Sequence, residues 1–401
     1  MTTNEANDGN DTHSHDDRYD QDAGANQQQQ ATADATPASE PQFTYEHTTN
    51  LPGLMQSVGF SLMISTYQIG KLLTISSVNN RCKLLMRTFQ HPMGIAVRHD
   101  RLGLVCKNQV WHFDNRPDLF DRAGKRVEHD TYYVPRRSHV TGDIAGHEAA
   151  WGQPDLLPTG NSAQQSEPEL WVVNTRFCCL ATMTDSHVSF VPRWKPPFIT
   201  EYAPEDRCHL NGLAMDENGY PRYVSALGHH NGAQSWRDEK KDGGCIMDVG
   251  TGEFVCRGLC MPHSPRLYAG RLWVLDSGTG RLLVVDPNTG QTDVVSHVPG
   301  FCRGLSFMGN LAFIGLSRAR STGAFGDLPI LNDPDTLVCG VHAIDITTGN
   351  TAARIELRTG CAELFDVTCV PNARHVGIVG FTRDTVDGVF VLPPEALAKK
   401  Q

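Results

Sequence analysis

Four histidines open copies of one short phrase: His91-Pro-Met-Gly-Ile-Ala, His147-Glu-Ala-Ala-Trp, His209-Leu-Asn-Gly-Leu-Ala and His263-Ser-Pro-Arg-Leu-Tyr. Two further copies begin with Phe301 and Glu363. Only 17 of 401 residues are histidine, so four of them at one phrase position form a pattern. Neutral imidazoles and a carboxylate suit a divalent transition metal. If the copies converge, His91, His147, His209 and His263 are metal ligands, with the metal's identity open, and Glu363 is a further ligand or the catalytic general base. Such a metal acts as a Lewis acid or activates water or dioxygen. Hydrolase, lyase or isomerase chemistry fits a redox-silent ion, and oxygenase chemistry fits iron.

Polar residues near the copies give candidate substrate contacts: Asn174, Arg176, Arg193, Asn211, Arg266 and Arg303. A group of arginines favours carboxylate, phosphate or sulfate on a small ligand. Each arginine has an alternative role in an ion pair between neighbouring elements or stacked on tryptophan. Asp366 is a candidate to orient an imidazole, and His229–His230 lie in a loop with a possible ligand role. A second reading keeps the same residues without a metal, as a polar channel that binds an organic anion or sugar directly. Others are a non-catalytic module that recognises a ligand or protein, and a scaffold. The motifs GxSxG, HExxH and GxxxxGK[ST] are absent.

The elements that must position these residues are short. Apolar runs such as SLMIS (61–65), KLLTIS (71–76), LWVV (170–173), LWVL (272–275), LLVV (282–285) and LAFIGL (311–316) are bounded by Gly, Asn, Asp or Pro, which is the pattern of many strands. DVGTG (248–252), DPNTG (286–290) and DITTG (345–349) read as equivalent tight turns. The phrase recurs at intervals of 56, 62, 54, 38 and 62 residues, and repeats of that size with about four strands each indicate a β-propeller. Six copies predict an all-β, six-bladed β-propeller whose first strands line a central channel. The ring must close to remove unpaired edges, and N-terminal strands beside a C-terminal inner strand are the simplest closure. Residues 152–168 and 319–337 read as surface loops.

Residues 1–42, rich in Asn, Asp, Gln, Ala, Thr and Ser, read as a disordered polar tail. The propeller spans 43–395, and 396–401 form a C-terminal tail. A net charge of −10 argues against binding nucleic acid or an anionic membrane by electrostatics. No apolar run reaches membrane-spanning length and no secretory signal is visible, so the expected setting is a soluble cytoplasmic one. The 12 cysteines lack paired zinc-ribbon spacing and read as mostly reduced, buried residues.

The stretches NTRFCCLATM (174–183), SFVPRWKPPFI (189–199), APEDRCHLNGLAM (203–215), SPRLYAGRLWVLDSGTG (264–280), PGFCRGLSFMGNLAFIGLSR (299–318) and ELFDV (363–367) resemble the bacterial family called domain of unknown function 4915. The resemblance covers roughly residues 43–395 and implies a propeller-like fold and a prokaryotic origin. Where the resemblance leads one to expect His-Asp-Leu-Ala-Trp, the chain has His147-Glu148-Ala149-Ala150-Trp151. The architecture is also similar to gluconolactonase-like and regucalcin-like six-bladed propellers, which hold a divalent metal through carboxylate and amide groups. Histidine stands here where those place oxygen donors, so their lactonase chemistry is not carried over. The four-histidine set resembles that of carotenoid-cleaving iron oxygenases, without their overall sequence pattern.

Overall fold

Short β-rich runs punctuated by turn residues pair into six mainly antiparallel sheets, set in a ring. The computed structural model describes residues 43–119, 128–158, 167–318, 326–381 and 386–392. Strand β1 (Thr44–His47) and helix α1 (Leu51–Val58) lead into β2 (Phe60–Thr66), β3 (Lys71–Val78) and β4 (Arg81–Thr88) of the first blade. The second blade holds β5 (Ile95–Val97), β6 (Arg101–Val105), β7 (Gln109–Asn115) and β8 (Thr131–Val140). The third holds β9 (Gly146–Gly152), β10 (Glu169–Asn174), β11 (Cys179–Thr182) and β12 (Val191–Trp194). The fourth holds β13 (Leu210–Met215), β14 (Pro221–Ala226), β15 (Gly244–Asp248) and β16 (Phe254–Leu259). The fifth holds β17 (Pro262–Tyr268), β18 (Arg271–Asp276), β19 (Arg281–Val285) and β20 (Thr292–His297). The sixth holds β21 (Phe301–Met308), β22 (Leu311–Ser317), β23 (Gly340–Asp345) and β24 (Thr351–Thr359).

The ring closes as the phrase order predicts. β25 (Asp366–Pro371) returns as the inner strand of the first blade and pairs antiparallel with β2, from Phe60↔Pro371 to Ser65↔Asp366. Two more pairings sew the ends in: β1 lies antiparallel to β24, and β26 (Val376–Ile378) runs parallel to β8. The phrase copies fall at or just before the inner strands β5, β9, β13, β17, β21 and β25, so the residues that begin them crowd one mouth of the channel.

Each junction between neighbouring blades has its own apolar core. Blades one and six share Phe60, Ile64, Phe313 and Ile355, and blades three and four share Trp171, Leu210, Val224 and Met247. Blades five and six share Trp273, Leu275, Leu305 and Ile314. Burying sheet faces against each other is the main favourable term in such a ring. All 12 cysteines are free, and all but Cys82 are buried in or beside these junctions.

The three DxxTG turns are alike in detail and join the third and fourth strands of blades four, five and six. In each the glycine N–H donates to the aspartate carbonyl at 2.8 Å, from Gly252 to Asp248, Gly290 to Asp286 and Gly349 to Asp345. The aspartate side chain also accepts backbone N–H bonds from within the turn. These glycines have φ of 74°, 72° and 74°, a region glycine enters without cost.

Residues 159–166 and 319–325 of the two anticipated surface loops, and both terminal tails, lie outside the described residues. The described part of the second loop is more than surface: Leu328, 1% exposed, packs with Trp236, Met261 and Phe301 at the mouth. Among the described residues no helix is long and apolar enough to cross a membrane.

Two outcomes are expected. Phe313→Ala empties a site where the Phe60 and Phe313 rings meet at 5.0 Å and should cost about 3–5 kcal/mol in denaturant unfolding; a loss below about 1 kcal/mol would contradict this packing. His112, wedged against Trp151 and His139, is lowered by burial to about 3 from an ordinary 6.5. The folded state therefore binds fewer protons than the unfolded chain between those values, and stability falls as pH drops through that window. His112→Gln should make the fall in Tm between pH 6.5 and 4 shallower; an unchanged slope would refute this.

Candidate active site at the mouth of the ring

A hydroxyl stands at the end of the second strand in four blades, and each one donates to a carbonyl at the start of the next blade's inner strand. Ser65 donates to Met93 at 2.5 Å, Thr175 to Leu210 at 2.6 Å, Ser277 to Cys302 at 2.6 Å and Ser317 to Leu364 at 3.1 Å. These bonds latch successive blades together at the mouth.

Two of the latches also fix a histidine. His147 Nδ1 lies 2.9 Å from the Ala145 carbonyl and 2.8 Å from Thr175 Oγ1. The Thr175 proton is already given to Leu210, so both neighbours accept and the hydrogen sits on Nδ1. His263 repeats the arrangement, with Nδ1 at 2.8 Å from the Met261 carbonyl and 3.0 Å from Ser277 Oγ. Burial holds both rings well below the ordinary imidazole range, reinforced by Arg303 and neighbouring histidines. Both are therefore neutral, with a bare Nε2. The Nε2 of His263 is buried and has no hydrogen-bond partner.

His209 is tied differently. Its Nδ1 is 2.8 Å from the fully buried Asp206 carboxylate, which also accepts from Trp236 Nε1 at 3.1 Å. The Trp236 ring lies against the His209 ring at 4.4 Å. The Nε2 atoms of His209 and His147 are 3.1 Å apart. With both Nδ1 atoms protonated, two neutral rings would set lone pair against lone pair. The contact is attractive only if a proton or a metal cation lies between them.

Below the imidazoles the channel is filled by charge. Glu148 pairs with Arg266 and accepts from the Leu213 N–H at 2.7 Å. Arg266 donates to the carbonyls of Leu213 and Leu305, and Asp366 accepts from the Ile95 N–H at 2.8 Å. Glu148 and Arg266 thus crosslink the inner strands of blades three to six, and Asp366 ties those of blades one and two, with the Arg266 charge acting on Asp366. Burial raises Glu148 to about 7 against the opposing pull of Arg266, and raises Asp366. The space left, bounded by His147, Asn211, His263, Ser264, Arg303 and Phe365 among others, is about 10 Å³, enough for one water molecule or ion. Arg303 is lowered to about 10 by burial, with Glu363 opposing the shift, and its guanidinium lies over Phe301 and Phe365. A larger cavity of about 320 Å³ near the far ends of β5 and β25 takes in none of the predicted residues.

The structure therefore brings His147, His209, His263, Asn211 and Arg303 to one mouth, with Glu363 acting on Arg303. It separates others. His91 precedes β5 by four residues instead of leading directly into it, and its Nδ1 is held at 3.2 Å by the Tyr67 carbonyl. Ring contacts through Tyr67 and Phe365 stand between it and His147. The four predicted ligands do not form one cluster: among the described residues, the three-residue group with donor atoms within 4.8 Å of one another is His229, His230 and Glu239. Arg193 is on the outermost strand of its blade, bonded to Glu169 and Thr182, away from the channel. Arg266 is consumed by the channel network. Arg176 pairs with Asp143 at 3.0 Å, and Asn174 uses its carbonyl oxygen to hold the Phe177 N–H. Asn211 bridges Ser225 and the Pro262 carbonyl.

Asp206, Thr175, Ser277, Glu148 and Trp236 escaped the sequence reading. A signal existed for three of them: Asp206 stands three residues before His209, and Thr175 and Ser277 directly follow LWVVN and LWVLD. Backbone strain marks the same place. Ala145, Asp206, His209, Met261 and Ser264 all have φ near 50°, at a cost on the order of 1–3 kcal/mol each.

The chain belongs to the family described as Domain of unknown function (DUF4915), which it matches over residues 49–379. Among solved structures it is similar to a chain in a crystal structure of a nidogen/laminin complex, at 10% identity and a TM-score of 0.43, covering 78% of this chain and 98% of that one. A protein of unknown function from Bacteroides caccae aligns at 8% identity and a TM-score of 0.45, covering 78% and 99%. No curated protein matches the chain in sequence.

Arg266→Ala should leave the Glu148 and Asp366 carboxyls buried without their cation and cost about 3–5 kcal/mol. Adding Glu148→Gln should recover part of the loss. Equal stability of the single and double variants in urea unfolding would break the link.

Proposed function

We propose that the protein is an enzyme whose mouth binds a transition metal through Nε2 of His147 and His209, leaving its other positions to water or substrate, and acts on a small anionic ligand held by Arg303. The reading rests on the 3.1 Å Nε2–Nε2 contact between rings whose Nδ1 atoms both face acceptors. Two imidazole nitrogens on one tetrahedral zinc sit about 3.3 Å apart, given bonds of about 2.0–2.1 Å. Nδ1 bound to a carbonyl or carboxylate with Nε2 left bare is the arrangement metal-ligating histidines adopt. When bound, the metal would supply Lewis acidity or an activated water. Arg303, buried at the mouth and carrying its charge at neutral pH, supports an anionic group on the ligand. Glu363, beside Arg303, would tune that charge or accept a proton.

The carboxylate of Asp206 favours a second reading. It would stabilise His209 as an imidazolium that donates to His147, making an Asp206–His209–His147 proton relay without a metal.

Elemental analysis separates the two. The metal reading expects about one equivalent of Zn, Mn, Fe or a similar ion at the axial imidazoles, in the purified protein or on its addition. His147→Ala and His209→Ala should each lose most of it while remaining folded by circular dichroism. If no metal binds the native protein and Zn, Mn and Fe leave its Tm unchanged, the metal reading fails and the relay stands.

A further inference from the structure

The loop between β14 and β15 carries Trp236 to the mouth. That side chain, 2% exposed, donates to Asp206, lies against His209 and packs with Leu328 and Phe301. The loop therefore completes the wall around His209, and what holds its shape matters. Its backbone does so in part: Ser235 donates to the Arg207 carbonyl, and Gly243 N–H to the Glu239 carbonyl at 2.6 Å.

At the outer side of the same loop His229, His230 and Glu239 draw together. Their donor atoms lie within 4.8 Å of one another. His230 Nε2 is 2.8 Å from Glu239 Oε1, and His229 Nδ1 is 3.9 Å from Oε2 of the same carboxylate. The second carboxylate oxygen is buried yet accepts no hydrogen bond. The His229 ring is oriented by the Gly243 carbonyl at 3.2 Å from Nδ1. Two imidazoles and one carboxylate form a donor set for zinc or a similar borderline ion, and a poor one for calcium or magnesium, which prefer oxygen.

We propose that His229, His230 and Glu239 bind a divalent transition-metal ion that clips the ends of this loop together and so fastens Trp236 over His209. The ion bridges residues on either side of the Trp236 turn, ten residues apart in sequence. Its role is structural and does not depend on a metal at the axial imidazoles. An unliganded carboxylate oxygen at the centre of the triad is what the ion would satisfy.

Zinc alone is the probe, titrated into the metal-stripped full-length chain, with stoichiometry read by native mass spectrometry and loop order by hydrogen exchange. The native protein should bind zinc and gain exchange protection over residues 228–243. His230→Ala and Glu239→Gln, both at partly exposed positions, should each lose one equivalent, weaken that site about tenfold or more and lose the protection, while any zinc held by His147 and His209 remains. If the axial reading is wrong, the native protein binds one equivalent and these variants none. Unchanged stoichiometry and unchanged exchange in both variants would overturn the clip, whatever happens at the axis.

Discussion

The mouth of this propeller depends on where the Nδ1 hydrogens go. At His147, His209 and His263 that nitrogen faces only acceptors, supplied by a backbone carbonyl, a hydroxyl whose proton is already committed, or the Asp206 carboxylate. Each ring is thereby fixed in one tautomer and orientation, with Nε2 left for chemistry. Burial keeps His147 and His263 neutral, so lone pairs are presented instead of charge. Blade latching and imidazole orientation come from the same atoms, since Thr175 and Ser277 both bond the next blade and receive the histidine. A change in ring closure would therefore be felt at the site, and a change at the site in the closure.

Charge is arranged in two layers along the axis. The inner layer sets two buried carboxyls, Glu148 and Asp366, around the one cation Arg266 and is bonded to backbone from several inner strands, so it fills the channel and ties the ring. The outer layer holds the imidazoles, Arg303 and Glu363. A plugged channel confines any ligand to the mouth. It also gives the imidazoles a low-dielectric floor, which strengthens electrostatic interactions made there. Loops carry Trp236 and Leu328 to the same mouth, where they pack with Met261 and Phe301.

Much of the ring was legible in the sequence. Repeated phrases marked the inner strands because each blade must present a small, tightly packed strand to the axis, and the DxxTG turns marked three outer hairpins because their glycines need positive φ. Closure followed from the need to pair every edge. The site was legible only as a neighbourhood. A shared phrase position put His91 in line with His209, yet β5 starts late, and that offset of four residues moves the side chain behind Tyr67 and Phe365. Arginines near the phrase could not be sorted by proximity in sequence: Arg303 reaches the mouth, Arg266 is spent on Glu148, and Arg193 faces the rim. Asp206 was missed although it stands three residues before His209, because the spacing brings the two side chains together only through the left-handed backbone at both positions. Trp236 was missed because it arrives from an insertion between strands, whose path is set by tertiary packing.

The central claim is that a cation, proton or metal, lies between Nε2 of His147 and Nε2 of His209. Nitrogen-15 NMR of the imidazoles in histidine-labelled protein at neutral pH, with single His→Gln variants for assignment, tests it directly. The account predicts His147 protonated at Nδ1 only, and His209 either protonated at both nitrogens or carrying a metal-shifted Nε2. Two neutral rings with free Nε2 lone pairs, or a His147 protonated at Nε2 instead, would contradict it.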